Sequence, residues 1–365
     1  MRMFSFGGIK SHGIMMAMVS ALALLATGSA ARAQSITMSY VTVAAPGNTA
    51  NLADPATGSV YGSVSYAYDI GEYDVTDSQY VTFLNDVDPT GANALGLYSS
   101  APDAEYGVTF NSGAASGSKY SIRSGYATLP VVDVDYWDTL RFVNWMNNGE
   151  GNASTETGAY TLLGGNTDGY GTPSNAASLL ANPQHNAGAT VWLPSENEWY
   201  KAAYYDPANQ TYSTYATQSD TAPGNIIGSG SNEANYYNGV YSVSQSSSLS
   251  GNPNYCYLTP VGSFTASASY YGTYDQSGDV FNWIDTTDDS DYPVLRGGDW
   301  YIYSGYLSSS DRDLGTPTTT NYTIGFRVAS VPEPNAIMLI LAGVLGLAVM
   351  RGKPFKLRLF YPLEK

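Results

Sequence analysis

The stretch Ile70-Gly71-Glu72-Tyr73-Asp74-Val75-Thr76-Asp77-Ser78-Gln79-Tyr80 changes its period in the middle. Residues 36 to 70 alternate apolar and polar and end in Tyr66-Ala67-Tyr68-Asp69-Ile70, the two-residue repeat of strands. At Thr76 the pattern switches. Its hydroxyl is placed to accept from the Gln79 backbone while the Gln79 side chain reaches back, a capping box, and Tyr80, Phe83, Leu84 and Val87 follow at i, i+3, i+4 and i+7. A strand running into a capped helix is expected here. The same grammar recurs twice. Leu129-Pro130-Val131-Val132 leads to a helix capped on Asp135, with Leu140, Val143 and Met146 on one side. Leu193-Pro194-Ser195-Glu196-Asn197-Glu198-Trp199 sets Ser195 three residues before Glu198, a second capping box, on a helix that buries Trp199, Ala202 and Ala203.

Beyond Asp206 the chain is mostly Tyr, Ser, Asn and Gly, interrupted by short apolar pieces such as Thr259 to Phe264, Val280 to Ile284 and Ile324 to Val328. Long loops tied by side-chain hydrogen bonds are expected there, with Trp and Tyr supplying the apolar area that a disordered chain lacks. The fold class is α+β with low regular content and long loops.

Charge and cysteine content bound the function. The 365 residues carry Lys+Arg 15 against Asp+Glu 31, a formal net charge of -16, with a single Cys and two His. An internal disulfide is therefore excluded. Residues 34 to 330 hold seven basic residues and 29 acidic ones, net -22. A domain this acidic repels nucleic acid and anionic lipid and attracts divalent cations. No linker or internal repeat divides it, so residues 34–330 read as one domain.

Both ends read as processing signals. Residues 1–33 carry Arg2, Lys10 and Arg32, a 13-residue apolar run from Ile14 to Ala26 and the small-residue site Ala31-Arg32-Ala33, the pattern of a secretory signal peptide. In residues 331–365, Val331-Pro332-Glu333-Pro334 precedes the uncharged run Ala336 to Met350 and the cations Arg351, Lys353, Lys356 and Arg358. That order resembles the PEP-CTERM sorting signal of Gram-negative bacteria. It implies an exosortase-type sorting protease as partner, only transient membrane contact, and a destination at the cell surface or outside the cell. The tail continues to Lys365, past the point where such signals usually stop.

Six motifs in order carry a second resemblance: Ile70 to Tyr80, Leu129 to Val132 leading to Trp137, Leu193 to Trp199, Tyr274-Asp275-Gln276-Ser277-Gly278-Asp279-Val280-Phe281-Asn282-Trp283, Leu295-Arg296-Gly297-Gly298-Asp299-Trp300, and Ile324-Gly325-Phe326-Arg327-Val328-Ala329. Over about residues 64 to 330 the chain resembles the sulfatase-modifying factor family, whose founding activity is formylglycine generation. The resemblance implies a modified C-type-lectin-like fold. It also implies two cysteines that bind Cu(I) shortly after the Gly-Gly segment; the matching positions here are Ile302 and Leu307, and Asp299 replaces the family's Ser. Thiolates suit that soft ion and aliphatic side chains do not, so copper is not expected. Cys256, in Asn254-Tyr255-Cys256-Tyr257, lies outside the motif and is a candidate only for a rearranged metal centre.

Other catalytic constellations are thin. Once His12 leaves with the signal peptide, His185 alone builds neither a two-His iron site nor a three-His zinc site, and nothing fixes the separation of Asp285, Asp288, Asp289 and Asp291. The resemblance implies structural Ca²⁺ at Asp275, Gly278, Val280 and Asn282, with Asn282 where the family commonly has Glu, and more loosely a second site at Asn235 and Tyr236 with Asn252 or Asn254. Hard oxygen donors on a Gly-assisted turn suit that ion. Arg296, Arg312 and Arg327 are expected to pair with buried carboxylates; the sharper expectation puts Arg312 and Asp299 on the wall of a groove faced by Tyr301, Tyr303 and Tyr306.

The expected protein is a secreted, calcium-stabilised binding or cell-surface protein of this fold, acting on extracellular polysaccharide or peptide. The alternative is an oxidoreductase of the same family that modifies a secreted protein, with Cys256 and Asp299 as its candidate residues.

Overall fold

In the computed structural model the three capping motifs set the three long helices. The structure describes residues 35–332 apart from 55–57, 100–106, 166–167, 229, 250–256 and 289–290. Both processing-signal segments, and Asn252, Asn254, Cys256 and Asp289, lie outside the described residues.

The first helix, Asp77–Val87, starts where the Thr76 hydroxyl accepts from the Gln79 N–H and the Thr76 N–H donates 2.8 Å to the Gln79 side chain. Tyr80, Phe83 and Leu84 face inward as expected, while Val87 is only partly buried. The second, Tyr136–Asn147, is capped by a reciprocal pair of carboxyl side chains, Asp135 and Asp138. Ser195 and Glu198 cap the third, Glu196–Tyr204. A shorter helix, Ala176–Ala181, has no side-chain cap and no strong period, so nothing in its residues announces it.

Two four-stranded sheets carry the frame. In the first, Tyr40–Val43, Tyr68–Gly71, Ala329–Ser330 and Val191–Trp192 lie side by side, all antiparallel, so the two ends of the described chain are joined across Tyr68–Gly71. In the second the order is Asp313–Leu314, Pro293–Arg296, Phe281–Thr287 and Ile324–Phe326, with the last pair parallel. The apolar piece Thr259 to Phe264 forms turns rather than a strand. The overall result is an α+β architecture of low helical content and long loops.

Between the sheets lies Arg327, fully buried. Its Nε donates to Asn282 Oδ1 (2.9 Å), Nη1 to the Gly71 carbonyl (3.1 Å), and Nη2 to Asp74 Oδ1 (3.0 Å) and the Tyr274 carbonyl (2.9 Å). Asn282 returns 2.9 Å to Asp74 Oδ1 and accepts 2.8 Å from the Trp199 indole. Every guanidinium nitrogen is satisfied, which a buried charge requires. Removing it leaves Asp74 buried and uncompensated, so Arg327→Met is expected to cost about 3–5 kcal/mol of folding stability by chemical denaturation. A loss below about 1 kcal/mol would contradict this role.

Buried carboxyls outside any ion pair among the described residues are the other peculiarity of the core, with only Arg141 near enough to ease Asp135 and Asp138. Asp285 accepts from the Tyr160 hydroxyl at 2.7 Å and the Tyr136 hydroxyl at 3.4 Å, and burial pushes it from 3.8 up to about 7. Burial likewise raises Asp135 and Asp138, whose facing charges oppose double ionisation. The folded state therefore holds protons that the unfolded chain releases above about pH 4. Their contribution is present in full below that pH and is lost as pH rises to about 7. A melting temperature higher at about pH 5 than at about pH 8 is expected; a flat or rising profile would show that these acids ionise at no cost.

Candidate functional site

The segment after Pro293–Arg296 enters a tight loop at Gly297 and Gly298, both at positive φ. A Cβ at Gly298 would lie 2.7 Å from Leu307 Cδ1, so the loop closes on itself only with glycine there. Asp299 fixes the residues after it. Its Oδ1 accepts from the N–H groups of Tyr301 (2.7 Å) and Ile302 (3.1 Å), the local turn that short acidic side chains favour. Burial raises its carboxyl to about 6 against these stabilising donors. Asp299 thus holds the loop rather than offering a free carboxylate.

Ile302 and Leu307 come together. Leu307 is fully buried and Ile302 packs against the same apolar cluster, formed with Tyr215, Ala234 and Tyr236. The Ile302 carbonyl accepts from Tyr237 N–H at 3.0 Å, and the Leu307 carbonyl from the Ser277 hydroxyl at 3.1 Å. Two side chains with no donor atoms fill the place where the resemblance implies thiolates, so this position does not fit Cu(I).

Tyr301, Tyr303 and Tyr306 are exposed. Arg312 Nε donates to both oxygens of Glu196 (2.9 and 3.3 Å). Glu196 also holds Arg296, at 2.9 and 2.6 Å, and Arg296 reaches the carbonyls of Ser309 and Asp311. One buried carboxylate clamped by two guanidinium groups is a structural device, the pairing with a buried carboxylate that is expected of Arg296 and Arg312. Glu196 itself escaped sequence reasoning because its partners lie 100 and 116 residues away.

Of the first set of calcium donors, Asp275 Oδ2 accepts from Gly262 N–H at 2.7 Å and the Gly278 carbonyl accepts from Val280 N–H at 2.9 Å. Asn282 Oδ1 is engaged by the Trp199 indole and the Arg327 guanidinium, and a cation at 2.9 Å makes it a poor ligand for Ca²⁺. Asn235 behaves differently. Its Nδ2 donates 2.7 Å to the Tyr257 carbonyl and 2.7 Å to Asp279 Oδ1, two acceptors that fix the amide orientation. Its Oδ1 is left buried with no donor. Tyr236, next in sequence, is buried with its hydroxyl on the Pro223 carbonyl.

Asp279, which the motif series does not single out, sits at positive φ after Gly278 and accepts from Thr259 N–H (3.1 Å) and hydroxyl (3.2 Å). Burial, with the nearby Asp275 charge, pushes its carboxyl well up. A Cβ at Gly278 would lie 2.3 Å from the Asn235 carbonyl, which accepts from Asp279 N–H at 2.8 Å. Glycine is required for that approach. Among the described residues no group of three or more His, Cys, Asp or Glu side chains converges as a metal site.

His185 stacks on Trp192, ring centroids 4.6 Å apart, at an open cleft of about 380 Å³ lined with Tyr66, Ala67, Ala189, Val331 and Pro332. No nucleophile or carboxylate pair joins it among the described lining residues. Asp285 is in the core and Asp288 accepts from Tyr292 N–H, so they do not form an acid/base pair. No helix among the described residues is long and apolar enough to cross a membrane.

Known proteins resemble this chain to different extents. Hercynine oxygenase of Mycolicibacterium smegmatis is 27% identical over 183 residues, covering 43% of this chain and 37% of that protein. This chain thus spans little more than a third of that curated relative. Among solved structures, CarF aligns over 82% of this chain and 100% of its own at 17% identity and a TM-score of 0.48. PvdO from Pseudomonas aeruginosa aligns over 81% and 93%, at 17% identity and a TM-score of 0.40. The sulfatase-modifying factor enzyme 1-like domain model matches residues 31–331, most of the chain, and the protein belongs to that family.

Proposed function

We propose that this protein is an exported, surface-associated binding member of the sulfatase-modifying factor family, stabilised by calcium and without copper-dependent cysteine oxidation. The observation that carries this reading is the apolar cluster in which Ile302 and Leu307 stand together. Copper(I) chemistry needs a thiolate pair at that place, and substituting packing for ligands removes the site where oxygen would be activated. What the loop presents instead is a tyrosine-rich surface.

On this reading calcium sits beside the turn after Tyr274, at Asn235. Of the two positions implied by the resemblance, the one built on Asn235 fits better, because its buried amide oxygen lacks a donor. The ion would supply charge to a region where Asp74 and Asp275 share the Arg327 guanidinium and Asp279 lies near both. The finer fold reading is the modified C-type-lectin-like arrangement. The signal-peptide and PEP-CTERM readings supply the route: export, recognition by an exosortase-type protease, and residence at the surface of a Gram-negative cell or outside it. The similarity to hercynine oxygenase favours a second reading, an oxidoreductase with a rearranged metal centre that uses Cys256.

One pair of measurements on the purified protein separates the two. Oxygen uptake with cysteine-containing peptides and Cu(I) is expected to stay at background, while added Ca²⁺ raises the melting temperature in the wild type and no longer does so in Asn235→Ala. Copper-dependent oxygen uptake, abolished in Cys256→Ser, would establish the oxidoreductase instead. A melting temperature indifferent to Ca²⁺ would remove calcium from the account.

A further inference from the structure

The last strand of the first sheet ends at a cleft. Ser330 pairs with Val191, the Val331 N–H donates 3.0 Å to the Thr190 carbonyl, and Val331 and Pro332 then form one wall of the open space of about 380 Å³ beside His185. Tyr66, Ala67, Ala189 and Trp192 complete the lining. His185 lies over Trp192 at 4.6 Å and 28°, and Tyr66 is 47% exposed. One carboxylate holds two of these rings. Glu198 accepts from the Tyr66 hydroxyl at 2.9 Å and from the Trp192 indole at 3.2 and 3.3 Å, and is itself fixed at the start of its helix by the Ser195 N–H at 2.8 Å. The aromatic walls are therefore set before anything binds, which lowers the ordering cost of an occupant.

Connectivity names the occupant first. Glu333, Pro334 and Asn335 follow Pro332 directly and lie outside the described residues. Three residues span at most about 11 Å, so the backbone held at Val331 keeps this segment at the cleft in any conformation. So short a tether sets an effective concentration on the order of millimolar, which any free ligand has to exceed. Chemistry agrees. Pro332 and Pro334 have no N–H to leave unpaired against an apolar wall, their φ is fixed, and each restricts the residue before it to extended backbone. Pro332-Glu333-Pro334 thus favours the polyproline II form that aromatic-lined grooves receive. The seven lining residues include no carboxylate and no Lys or Arg, so the cleft selects for rings rather than for charge.

We propose that this cleft is the docking site of the chain's own Pro-Glu-Pro segment, with the Pro334 ring on the face formed by Tyr66 and the His185–Trp192 pair. The folded domain thereby holds the segment instead of leaving it as a free tail. The consequence, though not the docking, rests on the sorting-signal reading above: the tripeptide that a sorting protease would read is covered by its own domain, and the protease gains it only when the segment leaves the cleft. A second copy of the chain or a free apolar ligand would first have to displace a covalently attached competitor.

The test is nuclear magnetic resonance on the full-length chain, purified without a histidine tag and labelled with carbon-13 in histidine and proline. His12 and His185 are its two histidines, so the His185 ring is read without ambiguity once His12→Ala assigns the pair. Cross-peaks between the His185 ring protons and the Pro334 ring are expected. Pro334→Ala should remove them, shift the His185 ring signals and leave the melting temperature unchanged. Three outcomes overturn the proposal: no cross-peak joins His185 to Pro334, the His185 signals are the same in Pro334→Ala, or the cross-peaks fade on about tenfold dilution, which would put a second copy in the cleft. None of these bears on calcium or oxygen uptake, and the mass of the exported protein reads tail removal separately. Failure of docking is thus distinct from failure of the sorting signal or of the proposed function.

Discussion

A single buried guanidinium decides how this chain closes. Arg327 has no water to solvate it, and its donors are met by Asn282, Asp74 and the carbonyls of Gly71 and Tyr274. Those partners come from the first sheet, the loop after it, the turn before Phe281–Thr287 and that strand itself. Any arrangement that misplaces one of them leaves a buried charge or an orphaned carbonyl, so the knot selects one packing of the two sheets. Trp199 joins through Asn282, which brings the Glu196–Tyr204 helix into the same register.

The candidate site inherits its shape from this frame. Phe281–Thr287 follows the turn of Asp275, Gly278 and Asp279, all at positive φ, and Pro293–Arg296 leads directly into Gly297, Gly298 and Asp299. The Gly278 N–H donates 2.7 Å to the Gly297 carbonyl, so the acidic turn and the loop bearing the tyrosines are pinned to each other. Where the resemblance implies two thiolates, this junction holds Ile302 and Leu307 in contact with aromatic and small side chains.

What could be read in advance divides by range. The caps at Thr76, Asp135 and Ser195 were legible because each is an exchange over three residues, and the inward faces followed from the helical repeat. The two sheets were not, since Tyr40–Val43 pairs with Tyr68–Gly71, and Ile324–Phe326 with Phe281–Thr287, through registers that no local pattern fixes. The motif series identified the positions of Ile302 and Leu307, yet it could not show that Asn282 Oδ1 is spent on Trp199 and Arg327, or that Arg312 belongs to Glu196. Those side chains have several chemically sensible partners, and only the three-dimensional packing chooses among them.

The function proposed above holds that apolar packing stands where copper ligands would be, and that calcium binds beside the acidic turn next to it. Metal analysis by inductively coupled plasma mass spectrometry on the purified protein addresses both halves at once. The account predicts calcium and no stoichiometric copper or iron. Copper or iron at about one equivalent per chain, persisting after dialysis, would contradict it.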